Sequence, residues 1–280
     1  MGGFPMGGGG GGLRVGGGVG GLIVLIIFVV MTVANNGGGG GASQEQPGSS
    51  SFDQCQSGQN ANQDQDCALV ADVNSIQSFW ADELPKQAGV DYTRARTIVF
   101  SGQTQTGCGS ASSQAGPFYC PVDKHVYLDT TFFRDMLEGQ LGAKGGEFSR
   151  AYVLAHEYGH HVQDLLGTMG KVRTQQGRNS DSVRLELQAD CYAGIWTKHA
   201  TTTPDASGQP YILDLTRQDI SNALDAAAAV GDDRIQQRSS GRVDPDSWTH
   251  GSAESRMRWF TTGMEKGSLK ACDTFAANRL

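Results

Sequence analysis

Apolar positions first cluster in an unbroken block, residues 15–34, with no charged side chain; its dense part runs Leu22-Ile23-Val24-Leu25-Ile26-Ile27-Phe28-Val29-Val30-Met31. Twenty helical residues span about 30 Å, the thickness of a bilayer's hydrocarbon layer, so the block predicts one transmembrane helix. Beyond it the pattern is amphipathic. Apolar residues at 70, 73, 76, 79, 80 and 84 predict a helix over 70–84, which Pro85 should stop. Residues 97–100 and 125–129 read as strands, and 102–116 as a polar loop. A helix capped by Thr130 or Thr131 is expected over 131–137. Stronger helical periodicity covers 147–166, which Gly167 should end, and 182–199; further helices are expected at 219–230 and 252–263, with a loop around Pro245 between them.

Glycine and polar residues surround the apolar block. Residues 1–14 form a glycine-rich head without capacity for a core, and 35–62 read as a flexible tether of Gly, Ser, Gln and Asn. Residues 63–280 are then the folded domain. A cleaved signal peptide competes with the anchor, but the segment ahead of the block holds only Arg14 as positive charge. A buried core helix fails because the flanks have nothing to cover it. Arg14 before the span favours a cytoplasmic N-terminus and an extracytoplasmic domain, periplasmic or extracellular.

Charge and cysteines narrow the classes. With 22 Lys+Arg against 29 Asp+Glu, the net charge is −7, and no basic run is present to bind nucleic acid. All six cysteines follow the apolar block. The simplest of 15 pairings joins Cys55 to Cys67, Cys108 to Cys120 and Cys191 to Cys272; free thiols are the alternative. Disulfides place the domain outside the cytoplasm. No CxxC spacing supports a zinc finger or a thioredoxin-like motif.

The chemistry concentrates in His156-Glu157-Tyr158-Gly159-His160. On a helix, residues 156 and 160 share a face, so two imidazoles reach one Zn²⁺, while Glu157 is offset to act on water as general base. A third protein ligand is required. In Arg184-Leu185-Glu186-Leu187-Gln188-Ala189-Asp190, Glu186 and Asp190 lie i,i+4 on the second helix. Glu186 is read as the metal ligand and Asp190 as the acceptor behind a ligating histidine. The reverse assignment stays open, as does a merely solvated helix face. His161 points elsewhere on its helix and is read as a packing or hydrogen-bonding residue. His250 is the candidate to steady an oxyanion, against a capping or surface role; Tyr119, Tyr192 and Tyr211 are weaker candidates for that task. Arg256 is suited to orient a carboxylate in the site or to form an ordinary ion pair. If Val126-Tyr127-Leu128 is a sheet edge, a substrate peptide can pair with it; a central strand is the alternative.

These segments resemble the bacterial neutral zinc metallopeptidase family with an N-terminal membrane anchor. The resemblance rests on Gly116-Pro117-Phe118-Tyr119-Cys120-Pro121, Leu154-Ala155-His156-Glu157-Tyr158-Gly159-His160-His161-Val162-Gln163, Glu186-Leu187-Gln188-Ala189-Asp190-Cys191 and His250-Gly251-Ser252 near Arg256. It implies an α+β, helix-rich, zincin-like domain with a small mixed β-sheet, and zinc held by His156, His160 and Glu186. The expected function is zinc-dependent endopeptidase action on peptides or proteins. A membrane-tethered zinc scaffold and a hydrolase of non-peptide amides are the competing readings.

Overall fold

The structure, a computed structural model, describes Cys55, residues 58–129 and residues 131–280. The glycine-rich head, the apolar span, most of the tether and Thr130 lie outside the described residues. Among those described, no helix is long and apolar enough to cross a membrane.

After a single helical turn, Gly58–Ala61, comes helix α1, Gln65–Ala88. Asp64 caps it by accepting the N–H groups of Asp66 and Cys67, and left-handed Gly89 closes it. Pro85 lies inside the last turn and does not stop the helix. So near the end, proline removes little of the backbone ladder, and its own carbonyl still accepts from Gly89 N–H.

Strands β1 (Arg96–Phe100), β4 (Phe118–Cys120) and β5 (His125–Asp129) form a sheet of order β1-β5-β4. β1 runs parallel to β5 and β4 antiparallel to it, so the sheet is mixed. β5 is therefore the central strand, and the notion that residues 126–128 form an open edge is corrected: both sides of β5 are already paired. The predicted polar loop 102–116 contains a hairpin, β2 (Gln103–Thr106) against β3 (Gly109–Ser112). Its strands carry no apolar alternation. They are pinned by the Cys108–Cys120 disulfide and by the Asp123 carboxylate, which accepts from Gly107 N–H at 2.6 Å.

Residues Phe132–Gln140 form a π-helical segment without a side-chain cap. Thr131 instead donates its hydroxyl to Asp129 at 2.6 Å. Helix α2, Glu147–Leu165, is buried along nearly its whole length. Helix α3, Asp181–His199, begins on a Ser180 cap. Helix α4, Arg217–Ala229, starts with a capping box between Thr216 and Asp219. Helix α5, Asp232–Ser240, replaces part of the loop expected before Pro245; it is almost wholly polar and carries no apolar period to reveal it. Helix α6, Ala253–Lys266, is capped by Ser252.

α2 sits at the centre, against α1, α3, α4 and β4, while α6 packs along α3. The core joins Ile76, Trp80 and Leu84 of α1, Leu154 and Tyr158 of α2, Leu187 and Trp196 of α3, and Phe260 of α6. The result is an α+β, helix-rich domain with a small mixed sheet. All six cysteines are paired as Cys55–Cys67, Cys108–Cys120 and Cys191–Cys272. The free-thiol alternative is thus set aside.

Candidate active site

α2 and α3 cross closely because Gly159 has no side chain. A Cβ there would lie 3.0 Å from the Ala189 carbonyl oxygen and 3.1 Å from its Cα. A second close crossing, α3 on α6, occurs at Gly263, where a Cβ would overlap the Cys191 carbonyl oxygen. The first crossing brings α3 carboxylates to α2 imidazoles; the second brings Arg256 to both.

His156, His160 and Glu186 converge, each offering a ligand atom, and the three atoms lie within 4.8 Å of one another. His156 Nε2 is 3.2 Å from Glu186 Oε2, and His160 Nε2 is 3.5 Å from Glu186 Oε1. The rings stand nearly perpendicular, with centroids 4.8 Å apart. All three residues are buried.

Behind them, Asp190 Oδ1 accepts from His156 Nδ1 at 2.8 Å and from the Tyr152 hydroxyl at 2.6 Å. Arg256 donates to both Asp190 oxygens, Nε to Oδ2 and Nη2 to Oδ1, each at 2.9 Å. With its acceptors so engaged, Asp190 faces the Nδ1 side of His156, away from the convergence point, which argues against the reversed ligand assignment. Burial opposes its charge, but Arg256 and His156 hold its carboxyl below the usual range.

The donor set fits a cation. An ionised Asp190 only accepts, so the His156 Nδ1–H donates and its Nε2 is left toward Glu186. Acceptor atoms facing one another in a buried site need a positive charge between them. Without a metal that charge is a proton. Burial works against charge on His156, but Asp190 and Glu186 outweigh it and raise the imidazole to about 10. Burial likewise opposes charge on His160, yet Glu186 raises it. Glu186 itself, though buried, is held well below the ordinary carboxylate range by His160, His250 and His156. Two imidazoles and one carboxylate are a familiar catalytic donor set for Zn²⁺.

Glu157 is buried, and among the described residues its Oε2 has no hydrogen-bond partner. Burial raises its pKa, against the pull of His156 and His160. It lines the same cavity as the three ligand residues, about 100 Å³ in volume. The apolar side chains of Phe132, Met136, Leu141, Val153 and Val230 also line it.

His250 also lines this cavity. It is held from behind: Thr249 Oγ1 lies 2.8 Å from its Nδ1, and Asp232 Oδ2 accepts the backbone N–H groups of Thr249, His250 and Gly251 at 2.9, 2.7 and 2.8 Å. Asp232 was invisible to motif reading, since it opens the unexpected α5. Tyr119, Tyr192 and Tyr211 do not line the cavity. Tyr119 donates to Asp164 at 2.9 Å, Tyr192 packs at a tilt against Trp80, and Tyr211 lies beside Ser78. Tyr152, not singled out for the site, does line it. His161 bonds Tyr119 and the Thr93 carbonyl, as a packing residue does. His125 and His199 lie outside the cavity lining.

A buried His-Glu-x-x-His helix, a glutamate from a second helix and an adjoining cavity define the active site of a zinc peptidase. The profile of the family described as "Putative neutral zinc metallopeptidase" matches residues 2–275. The chain belongs to that family. It is 52% identical over 226 residues to the uncharacterized protein Rv2575 of Mycobacterium tuberculosis, covering 80% of this chain and 75% of the relative. It is 44% identical over 207 residues to the uncharacterized protein YpfJ of Escherichia coli K12, covering 72% of this chain and 68% of the relative. No solved structure is significantly similar.

Proposed function

We propose that the chain is a membrane-anchored endopeptidase whose residues 63–280 cleave peptides or proteins outside the cytoplasm. The observation that carries the hydrolytic reading is Glu157: a buried carboxylate oxygen without a partner among the described residues, on the wall of a cavity shared with three ligand residues. Structural zinc is closed by four protein groups; here three converge and a base stands beside them. That difference favours catalysis over a scaffold role.

Zinc held by His156, His160 and Glu186 supplies Lewis acidity toward water and toward a carbonyl oxygen. Glu157 takes a proton from the attacking water as the new C–O bond forms. It returns that proton to the amine as the C–N bond breaks. Asp190 fixes the ring of His156 and raises its basicity, with Arg256 and Tyr152 keeping the carboxylate in place. His250, on its Asp232-anchored loop, donates to the oxygen that gains negative charge. The apolar cavity wall accommodates a substrate side chain. The net negative charge supports protein over nucleic-acid substrates.

Residues 1–14, 15–34 and 35–62 act in this reading as head, single-pass anchor and tether, with the N-terminus cytoplasmic. The 20-residue apolar block and the three disulfides support that arrangement. The test is digestion of a peptide library by the full-length chain in detergent, with and without a chelator. Chelator-sensitive cleavage within peptides is expected; bound zinc with no cleavage supports the scaffold instead.

A further inference from the structure

Among the described residues, no carboxylate bonds His160 from behind as Asp190 bonds His156. His160 Nδ1 lies 2.8 Å from the side-chain oxygen of Gln163, which is completely buried one turn further along α2. The Gln163 amide nitrogen donates to the Leu185 carbonyl at 2.7 Å and to Gln188 Oε1 at 3.1 Å. The Gln188 amide nitrogen in turn donates to the Cys272 carbonyl at 3.0 Å. Cys272 is disulfide-bonded to Cys191, five residues after Glu186 on α3.

The polarity of this chain of contacts follows from its ends. The carbonyls of Leu185 and Cys272 can only accept. Each amide must therefore turn its NH₂ toward a backbone carbonyl. Gln188 then presents its oxygen to Gln163, and Gln163 presents its oxygen to His160. An amide oxygen also only accepts, so His160 Nδ1 must carry hydrogen, whatever the state of its other nitrogen. Nε2 is left as the atom that faces Glu186. Flipping either amide would set oxygen against oxygen in a buried place, at a cost of about 1–3 kcal/mol for the unmade bond.

We propose that Gln163 is the positioning residue of His160, fixing the Nδ1–H tautomer that leaves Nε2 for the metal, and that Gln188 locks Gln163 by tying it to the backbone at Cys272. The two histidines are thus oriented by different chemistry: His156 by the ionised Asp190, His160 by a neutral amide relay. The inference rests on the zinc reading of the site.

The test has two arms, both on the full-length chain with its disulfides intact. Zinc affinity is measured by competition with a chromophoric chelator for the wild type, Gln163→Leu and Gln163→Glu. Loss of the partner behind a ligating histidine weakens metal affinity about 10–100-fold. Gln163→Leu is expected to show that loss, and Gln163→Glu to recover part of it below the carboxyl's pKa, where the protonated acid donates its O–H to the Leu185 carbonyl and keeps its other oxygen on His160 Nδ1. In the second arm, ¹⁵N NMR of the wild-type imidazoles with zinc bound is expected to show His160 protonated at Nδ1 and coordinated through Nε2. Coordination through Nδ1 would overturn the proposal, and so would wild-type affinity in Gln163→Leu or equal losses in both variants. The NMR arm decides even where Gln163→Leu does not fold. A wild type that binds no zinc sinks the zinc reading itself, whereas zinc binding indifferent to Gln163 sinks only this inference.

Discussion

Arg256 holds Asp190 in a fork, Nε on one carboxylate oxygen and Nη2 on the other, both at 2.9 Å, with both side chains almost wholly buried. Breaking one partner of such a pair leaves an uncompensated buried charge and costs about 3–5 kcal/mol. Arg256→Leu is expected to lower stability by that order in urea titrations. Arg256→Lys, with a single point of charge, cannot restore the fork and should remain less stable than wild type. Stability equal to wild type in Arg256→Leu would show that the fork is not needed.

Glu157 Oε2 has no partner among the described residues, so its loss should harm turnover and spare the fold. Glu157→Gln is expected to bind zinc as wild type does while kcat falls at least about 10²-fold. Metal content and steady-state cleavage of a peptide identified in the library digest check this together. Undiminished turnover would remove Glu157 from its role.

The crossing at Gly159 tolerates no Cβ without a shift of α3, because the atoms it meets are Ala189 backbone. Gly159→Ala should cost about 1–3 kcal/mol in stability. It should also weaken zinc affinity, since the displaced helix carries Glu186. Calorimetric zinc titration of the variant reads the second effect separately from the first.

Protonation of the metal-free site sets its stability against pH. His156 has an ordinary value of 6.5 and is raised to about 10 in the fold. A raised histidine contributes stability that is complete below pH 6.5 and is lost as pH climbs toward about 10. The melting temperature of the chelated chain should therefore fall across that window. Zinc replaces the proton, so the loaded chain should show a shallower fall. Parallel melting curves for the two forms would contradict this.

The Cys191–Cys272 bridge spans 81 residues and the other two span 12 each. Chain-entropy reasoning assigns about 4.5 kcal/mol to the long loop and about 3 kcal/mol to each short one. Replacing Cys191 and Cys272 with alanine should thus lower the melting temperature more than replacing either short-loop pair, as calorimetry would register.

The parts of the site that were legible in the sequence are those set by spacing within one helix. His156, Glu157 and His160 lie within five residues, and Glu186 and Asp190 within another five, so helical geometry alone aligns them. The partners behind them were not legible in the same way. Tyr152 reads only as part of a helix's apolar face, Gln163 only as the end of a motif segment and Asp232 as neither, and their roles arise only where elements cross. In the fold, helices with an apolar face were recognisable, whereas the polar β2–β3 hairpin draws its order from a disulfide and Asp123, and the polar α5 is ended by left-handed Gly241. The open-edge reading of residues 126–128 failed for a related reason: apolar character marks burial, and a central strand is the more buried one.

The account stands on three side chains from two helices meeting around one cation. Elemental analysis by mass spectrometry, on protein purified without added metal and then extensively dialysed, tests it most directly. The prediction is one zinc per chain in the wild type, and little or none when His156, His160 or Glu186 is replaced by alanine. A wild-type chain free of zinc, or a Glu186→Ala chain that keeps a full equivalent, would contradict it.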